Sequence, residues 1–176
     1  IESKTSFNSN IYSDFISSAT IELSKNETLI SKLIGKGQLE KSEYQLLSLI
    51  SFNGGVAQNN AGSGICHALA HAAEEMTHYS HIECISYFLP YLISYLNLFD
   101  ETKYLVDKQN KIFYDKIVQH IRGEVDLSEI DIILKNNIEC EKLLSVAKND
   151  PCWRLYKNKI HVDMLLEQLK SDEYSE

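Results

Sequence analysis

The run Gly64-Ile65-Cys66-His67-Ala68-Leu69-Ala70-His71-Ala72-Ala73-Glu74-Glu75-Met76-Thr77-His78-Tyr79-Ser80-His81 carries four of the chain's six histidines within fifteen residues. Imidazole is the commonest metal ligand and the usual acid/base group near neutral pH. His67 and His71 are four apart, so a helix presents both from one face, one turn apart. The residues between and beside them are small and apolar, which sets both rings near a core or a cleft, where a polar ring needs a partner. Two arrangements are open. In one, a single helix runs on through His78, and His67, His71 and His78 share a face. In the other, the helix ends near Tyr79, Ser80 caps a new one, and His81 swings back toward His67, leaving His71 free to act as an acid or base. Glu74 and Glu75 add carboxylates, but the second position of the H-E-x-x-H zinc-protease pattern is not Glu here.

Outward from this run, the periodicity is helical and no sustained period-two alternation appears. Two prolines and seven glycines are few breakers for 176 residues. Ser13 or Asn10 can cap a helix to about Lys25, and Asn26-Glu27 opens a short one toward Gly35. Lys41 to Phe52 is helical and is expected to stop at Asn53-Gly54-Gly55. A helix carries His67 and His71, and another follows Ser80. Asp100 or Thr102 caps a helix to about Ile121, broken at Gly123. Asp126-Leu127-Ser128-Glu129 reads as a capping box with Asp126 as cap. Helices near 128–136 and 138–148 follow, Asp150-Pro151 is a break, and His161 to Leu169 forms the last helix. The expected fold is an all-α bundle of seven to ten helices in one domain.

Bulk properties exclude several classes. The net charge of −8, with basic residues scattered, argues against a nucleic-acid surface. Apolar content of 44% suits a packed domain, yet no apolar run reaches membrane-spanning length: Ile85 to Leu98 is interrupted by Ser86, Pro90, Ser94 and Asn97. Cys66, Cys84, Cys140 and Cys152 form no C-x-x-C pair and read as reduced thiols of a cytoplasmic protein. No signal peptide is visible at the start. The first residue is Ile1 rather than Met, so a trimmed or partial chain is expected. Tyr87, Tyr91 and Tyr95 make a helical stripe, expected to pack with their hydroxyls at a wet edge. His120 and His161 stand alone and read as surface histidines.

Gly64-Ile65-Cys66-His67-Ala68-Leu69-Ala70-His71, then His81, then Leu89-Pro90 and an apolar helix ending at Asn97, resembles the metal-binding core of the iron-containing (group III) alcohol dehydrogenases. That family has a G-x-x-H-A-x-x-H segment, a further His fourteen residues after the first, and a following L-P. The spacing from His67 to His81 is fourteen. The stretch Ala147-Lys148-Asn149-Asp150-Pro151-Cys152-Trp153 resembles the family's closing D-P segment. The opening Ile1-Glu2-Ser3, with Ser9, Asn10 and Ser13, is similar to its H-A-I-E-S stretch.

The resemblance implies a helical C-terminal domain of the dehydroquinate-synthase-like type, behind an N-terminal dinucleotide-binding domain that these residues do not include. It implies Fe²⁺ or Zn²⁺ held by an Asp and three His, with His67 and His81 as two of the ligands. His71 then matches a non-ligand histidine that aids proton transfer, and Cys152 lies near the substrate pocket. The whole enzyme would interconvert an alcohol and an aldehyde or ketone with NAD(H) or NADP(H), as a homo-oligomer, and the 176 residues alone would be inactive. The other two ligands, spaced D-x-x-x-H, are expected before Ile1. The chain departs from the family at Ile82, where Gly is usual after the third ligand, and at Ala72, Ala73 and Glu74, where Pro and Gly are usual. Ile82 is expected to shift His81 or narrow the pocket. His71-Ala72-Ala73-Glu74 is also similar to the H-A-x-E of dehydroquinate synthases, so a metal-dependent cyclase or lyase is an alternative. A helical assembly domain with a decayed site is another.

Overall fold

The computed structural model describes residues 26–98, 119–120, 123, 126–156 and 159–171. The helices expected over 10–25 and 100–121 lie outside them, apart from Gln119 and His120, as does the resemblance at Ile1-Glu2-Ser3. The described residues form eight helices and no sheet: α1 Glu27–Ile34, α2 Lys41–Ala61, α3 Ile65–Met76, α4 His81–Asn97, α5 Ser128–Lys135, α6 Asn137–Asn149, α7 Pro151–Arg154 and α8 Val162–Lys170. The all-α expectation holds.

Caps explain most of the boundaries. Asn26 opens α1 by accepting from the Leu29 N–H at 3.0 Å. Glu43 accepts from the Glu40 N–H at the start of α2 and is paired with Lys32 of α1 at 2.7 Å. Asn136 accepts from the N–H groups of Ile138 and Glu139 and opens α6. Two expectations fail. First, α2 runs through Asn53-Gly54-Gly55, because nothing there demands a left-handed residue. The pair costs helix propensity, about 1 kcal/mol per glycine, without ending the helix. The stop comes at Gly62, with φ 77° and ψ 177°. Second, Asp126 is not the cap itself: Leu127 is, and Asp126 accepts from the Ser128 N–H at 3.0 Å from one residue further out. Gly123 is itself helical, and the residues on either side of it lie outside the described ones.

The core is built around α3, which packs on α4, α6 and α7, while α8 closes the far side of α4. Ile65, Cys66, Ala68, Leu69, Ala70, Ala72 and Ala73 are all buried. Four of the seven are alanines, Ala68, Ala70, Ala72 and Ala73, which fill little space between the helices. The tyrosine stripe is deeper than its pattern suggests. Tyr87, Tyr91 and Tyr95 are buried, with the Tyr87 hydroxyl donating to Asp131 and the Tyr95 hydroxyl accepting from the His161 N–H at 3.0 Å. Buried phenols are tolerated because they find such partners. Burial pushes the Cys84 thiol up to about 11, so it is an unreactive core residue.

Gly62 positions the site from behind. It turns the chain from α2 into α3, and a Cβ built on it would lie 2.3 Å from Leu155 Cδ1, just past α7. Its backbone region is closed to residues with a Cβ. Gly62→Ala is therefore expected to destabilise the fold by roughly 1–3 kcal/mol, read as a lowered thermal midpoint. An unchanged midpoint would show that the turn relaxes freely.

Candidate metal centre

The break between α3 and α4 builds the site. Thr77 ends α3 in an extended conformation, its N–H and hydroxyl both donating to the Ala73 carbonyl at 2.8 Å. Tyr79 is buried, and its hydroxyl accepts from the Glu129 N–H at the start of α5. Glu83 accepts from the Ser80 N–H and hydroxyl, both at 2.6 Å, and fixes the start of α4. Of the two arrangements the sequence left open, the chain adopts the broken one.

The turn brings His81 back over α3. The His71 and His81 rings stack at 4.9 Å between centroids, His67 and His81 are 5.3 Å apart, and His67 and His71 are 6.2 Å apart. His78 is elsewhere: its side chain is 73% exposed, its Nδ1 is 3.1 Å from Glu129, and its ring lies against Tyr79. Ile82 is 72% exposed and so does not crowd its neighbour His81.

Two carboxylates complete the cluster. Glu74 Oε2 is 2.8 Å from His81 Nδ1, and Asp150 Oδ2 is 2.8 Å from His71 Nδ1. A carboxylate at this distance accepts the Nδ1 proton and leaves Nε2 as the nitrogen with the lone pair. Asp150 also caps α7, accepting from the Cys152 N–H at 2.7 Å through its other oxygen. Burial pushes the Asp150 carboxyl up, but the bonds from His71 and Cys152 outweigh this and hold it below the ordinary carboxylate range. Cys152 is thereby held beside His71.

Ligand atoms of His71, Glu74 and His81 lie within 4.8 Å of one another, as do those of His71, Asp150 and Cys152. His67 joins the ring cluster but neither of these sets; its Nε2 faces the Gln58 amide at 3.5 Å. Imidazole nitrogens backed by carboxylates are the donor set that borderline divalent ions take, so the residues present fit such an ion. Asp150 was marked in the sequence by its place before a proline and by the resemblance of its D-P segment, with no pointer to His71, and Glu74 was a carboxylate without a partner until the fold supplied His81.

Residues 1–129 match the Fe-containing alcohol dehydrogenase family, C-terminal, and the chain belongs to this family. Its members are oxidoreductases, and membership implies a divalent metal. No curated protein and no solved structure matches the chain significantly. No helix among the described residues is long and apolar enough to cross a membrane.

Proposed function

We propose that this chain is the metal-binding helical domain of an NAD(P)-dependent alcohol dehydrogenase or aldehyde reductase. The observation that carries the reading is the convergence of His67, His71 and His81, two of them with Nδ1 held by a carboxylate. His67 and His81 would hold the ion, Fe²⁺ or Zn²⁺, with an Asp and a further His supplied from outside these 176 residues. The ion, when bound, would supply Lewis-acid polarisation of a substrate oxygen, and a nicotinamide on a separate dinucleotide-binding domain would supply the hydride chemistry. His71 handles the proton. In alcohol oxidation its Nε2 takes the hydroxyl proton, and in carbonyl reduction it returns one, while Asp150 keeps the Nδ1 proton in place. Cys152, half-buried beside Asp150, lines the substrate pocket. His71 and His81 side chains are 40% and 38% exposed, which leaves the cluster open on one side for substrate and nucleotide.

The test is nicotinamide oxidation by the full-length protein, loaded with Fe²⁺ or Zn²⁺ and offered a panel of aldehydes and ketones. Turnover is expected, to be lost on chelation and restored by metal. A fully loaded protein that reduces no carbonyl would overturn the reading. The 176 residues alone are expected to purify largely metal-free and inactive, since two histidines hold a divalent ion weakly.

Asp150→Asn gives a finer expectation. The amide still caps α7 through its oxygen, but it can donate to His71 Nδ1 and so stabilise the tautomer with the proton on Nε2. Turnover should fall by about 10–100-fold, the usual loss when an orienting partner of a site histidine is removed. Metal content should stay at the parent level. Loss of metal in this variant would place Asp150 among the ion's own ligands.

A further inference from the structure

Glu74 and His71 are three apart on α3 and so share the face that looks toward the start of α4. The turn Thr77 to Ser80 lies between them and His81. Across it, Glu74 Oε2 reaches His81 Nδ1 at 2.8 Å. The other carboxylate near this helix start, Glu83, is engaged by the Ser80 N–H and hydroxyl. Glu75 is exposed, one residue round the helix from Glu74. Glu74 is therefore the carboxylate that serves His81.

Neutral imidazole carries its proton on either nitrogen, and only the other nitrogen can bind an ion. An acceptor fixed on Nδ1 selects the tautomer, fixes the ring's orientation and raises the basicity of Nε2. His81 needs such an acceptor more than a residue inside a helix would. It is the first residue of α4, so no preceding turn of its own helix packs against its ring. Its side chain is more than a third exposed, so water competes for Nδ1.

We infer that Glu74 is a positioning residue that holds His81 in its ion-binding tautomer and orientation from the preceding helix. The inference rests on the reading that His81 holds the ion. It adds that the affinity of the centre depends on a side chain that does not bind the ion.

The experiment measures Co²⁺ affinity of the full-length protein by chelator competition, for the parent and for Glu74→Ala, Glu74→Gln and His81→Ala. Thermal melts are run beside it to separate loss of affinity from loss of fold. Glu74→Ala should weaken Co²⁺ binding by about 10–100-fold, the range for an outer partner of a ligating histidine. Glu74→Gln should fall between Ala and the parent, because its amide oxygen still accepts from Nδ1 but carries no charge. His81→Ala should be the weakest, and the melts should stay close together, since Glu74 is a third exposed. Parent-like affinity in Glu74→Ala beside a weak His81→Ala would overturn this inference alone. Parent-like affinity in His81→Ala would overturn the placement of the ion, and this inference with it. A Gln variant as weak as the Ala variant, with an altered Co²⁺ absorption spectrum, would make Glu74 a direct ligand and overturn the positioning role.

Discussion

His81→Ala in the full-length protein is expected to lose the metal and all turnover together, and His67→Ala to do the same. The two histidines come from different helices. His67 sits in the first turn of α3, while His81 opens α4 and depends on the turn held by Thr77, Tyr79 and Ser80. Their rings are 5.3 Å apart although fourteen residues separate them. That convergence depends on the helix break between α3 and α4. Each substitution removes a donor that no neighbour replaces at the same place. The loss should therefore exceed the ~10–100-fold that follows removal of an outer partner. Metal content measured beside turnover decides the matter. Inactive variants that kept their metal would place these two histidines in substrate handling instead. His78→Ala is the internal control. Its side chain is engaged with Glu129 and Tyr79 outside the cluster, and both metal and turnover should be near the parent level.

Local chemistry made α3 and α4 legible. The small apolar residues around His67 and His71 dictate a helix that packs tightly, and Ser80 as a cap announces a new start. Asn26 and Asn136 cap the helices that follow them for the same reason. Glycine misled where its permissiveness was taken for a requirement. Gly54 and Gly55 sit inside α2 with open space around them, while Gly62, in a conformation other residues avoid, ends it. The tyrosine stripe was legible as packing, but its depth was not, because Asp131 and the His161 N–H that satisfy its hydroxyls come from distant elements. The second half of the site has the same cause. Asp150 is seventy-nine residues from His71. In sequence it is a break before proline, and only the packing of α7 on α3 turns its second oxygen toward the imidazole. Periodicity and caps report on local structure. They carry no information on which exposed carboxylate tertiary packing will bring to a given ring.

His71→Ala should separate chemistry from metal binding. His71 lies on the same face of α3 as His67 and stacks on His81, so proximity alone would permit it to be a third ligand from this domain. Its partner argues for a different task. Asp150 holds Nδ1 from the start of α7, and the same carboxylate caps the helix that bears Cys152. Any shift of His71 toward an ion would strain two contacts at once. An imidazole fixed in this way, with its side chain 40% exposed, is equipped to pass a proton and need not move to do so. The variant is expected to keep metal near the parent level while turnover drops by about 10²–10⁴-fold, the contribution of a positioned proton-transfer group. Combining it with Asp150→Asn supplies the sharper test. If Asp150 acts through His71, the double variant should be no slower than His71→Ala, because groups that act as a unit are not additive. A further fall in turnover would give Asp150 a task of its own. Metal lost in His71→Ala but kept in His81→Ala would exchange the parts assigned to the two stacked rings.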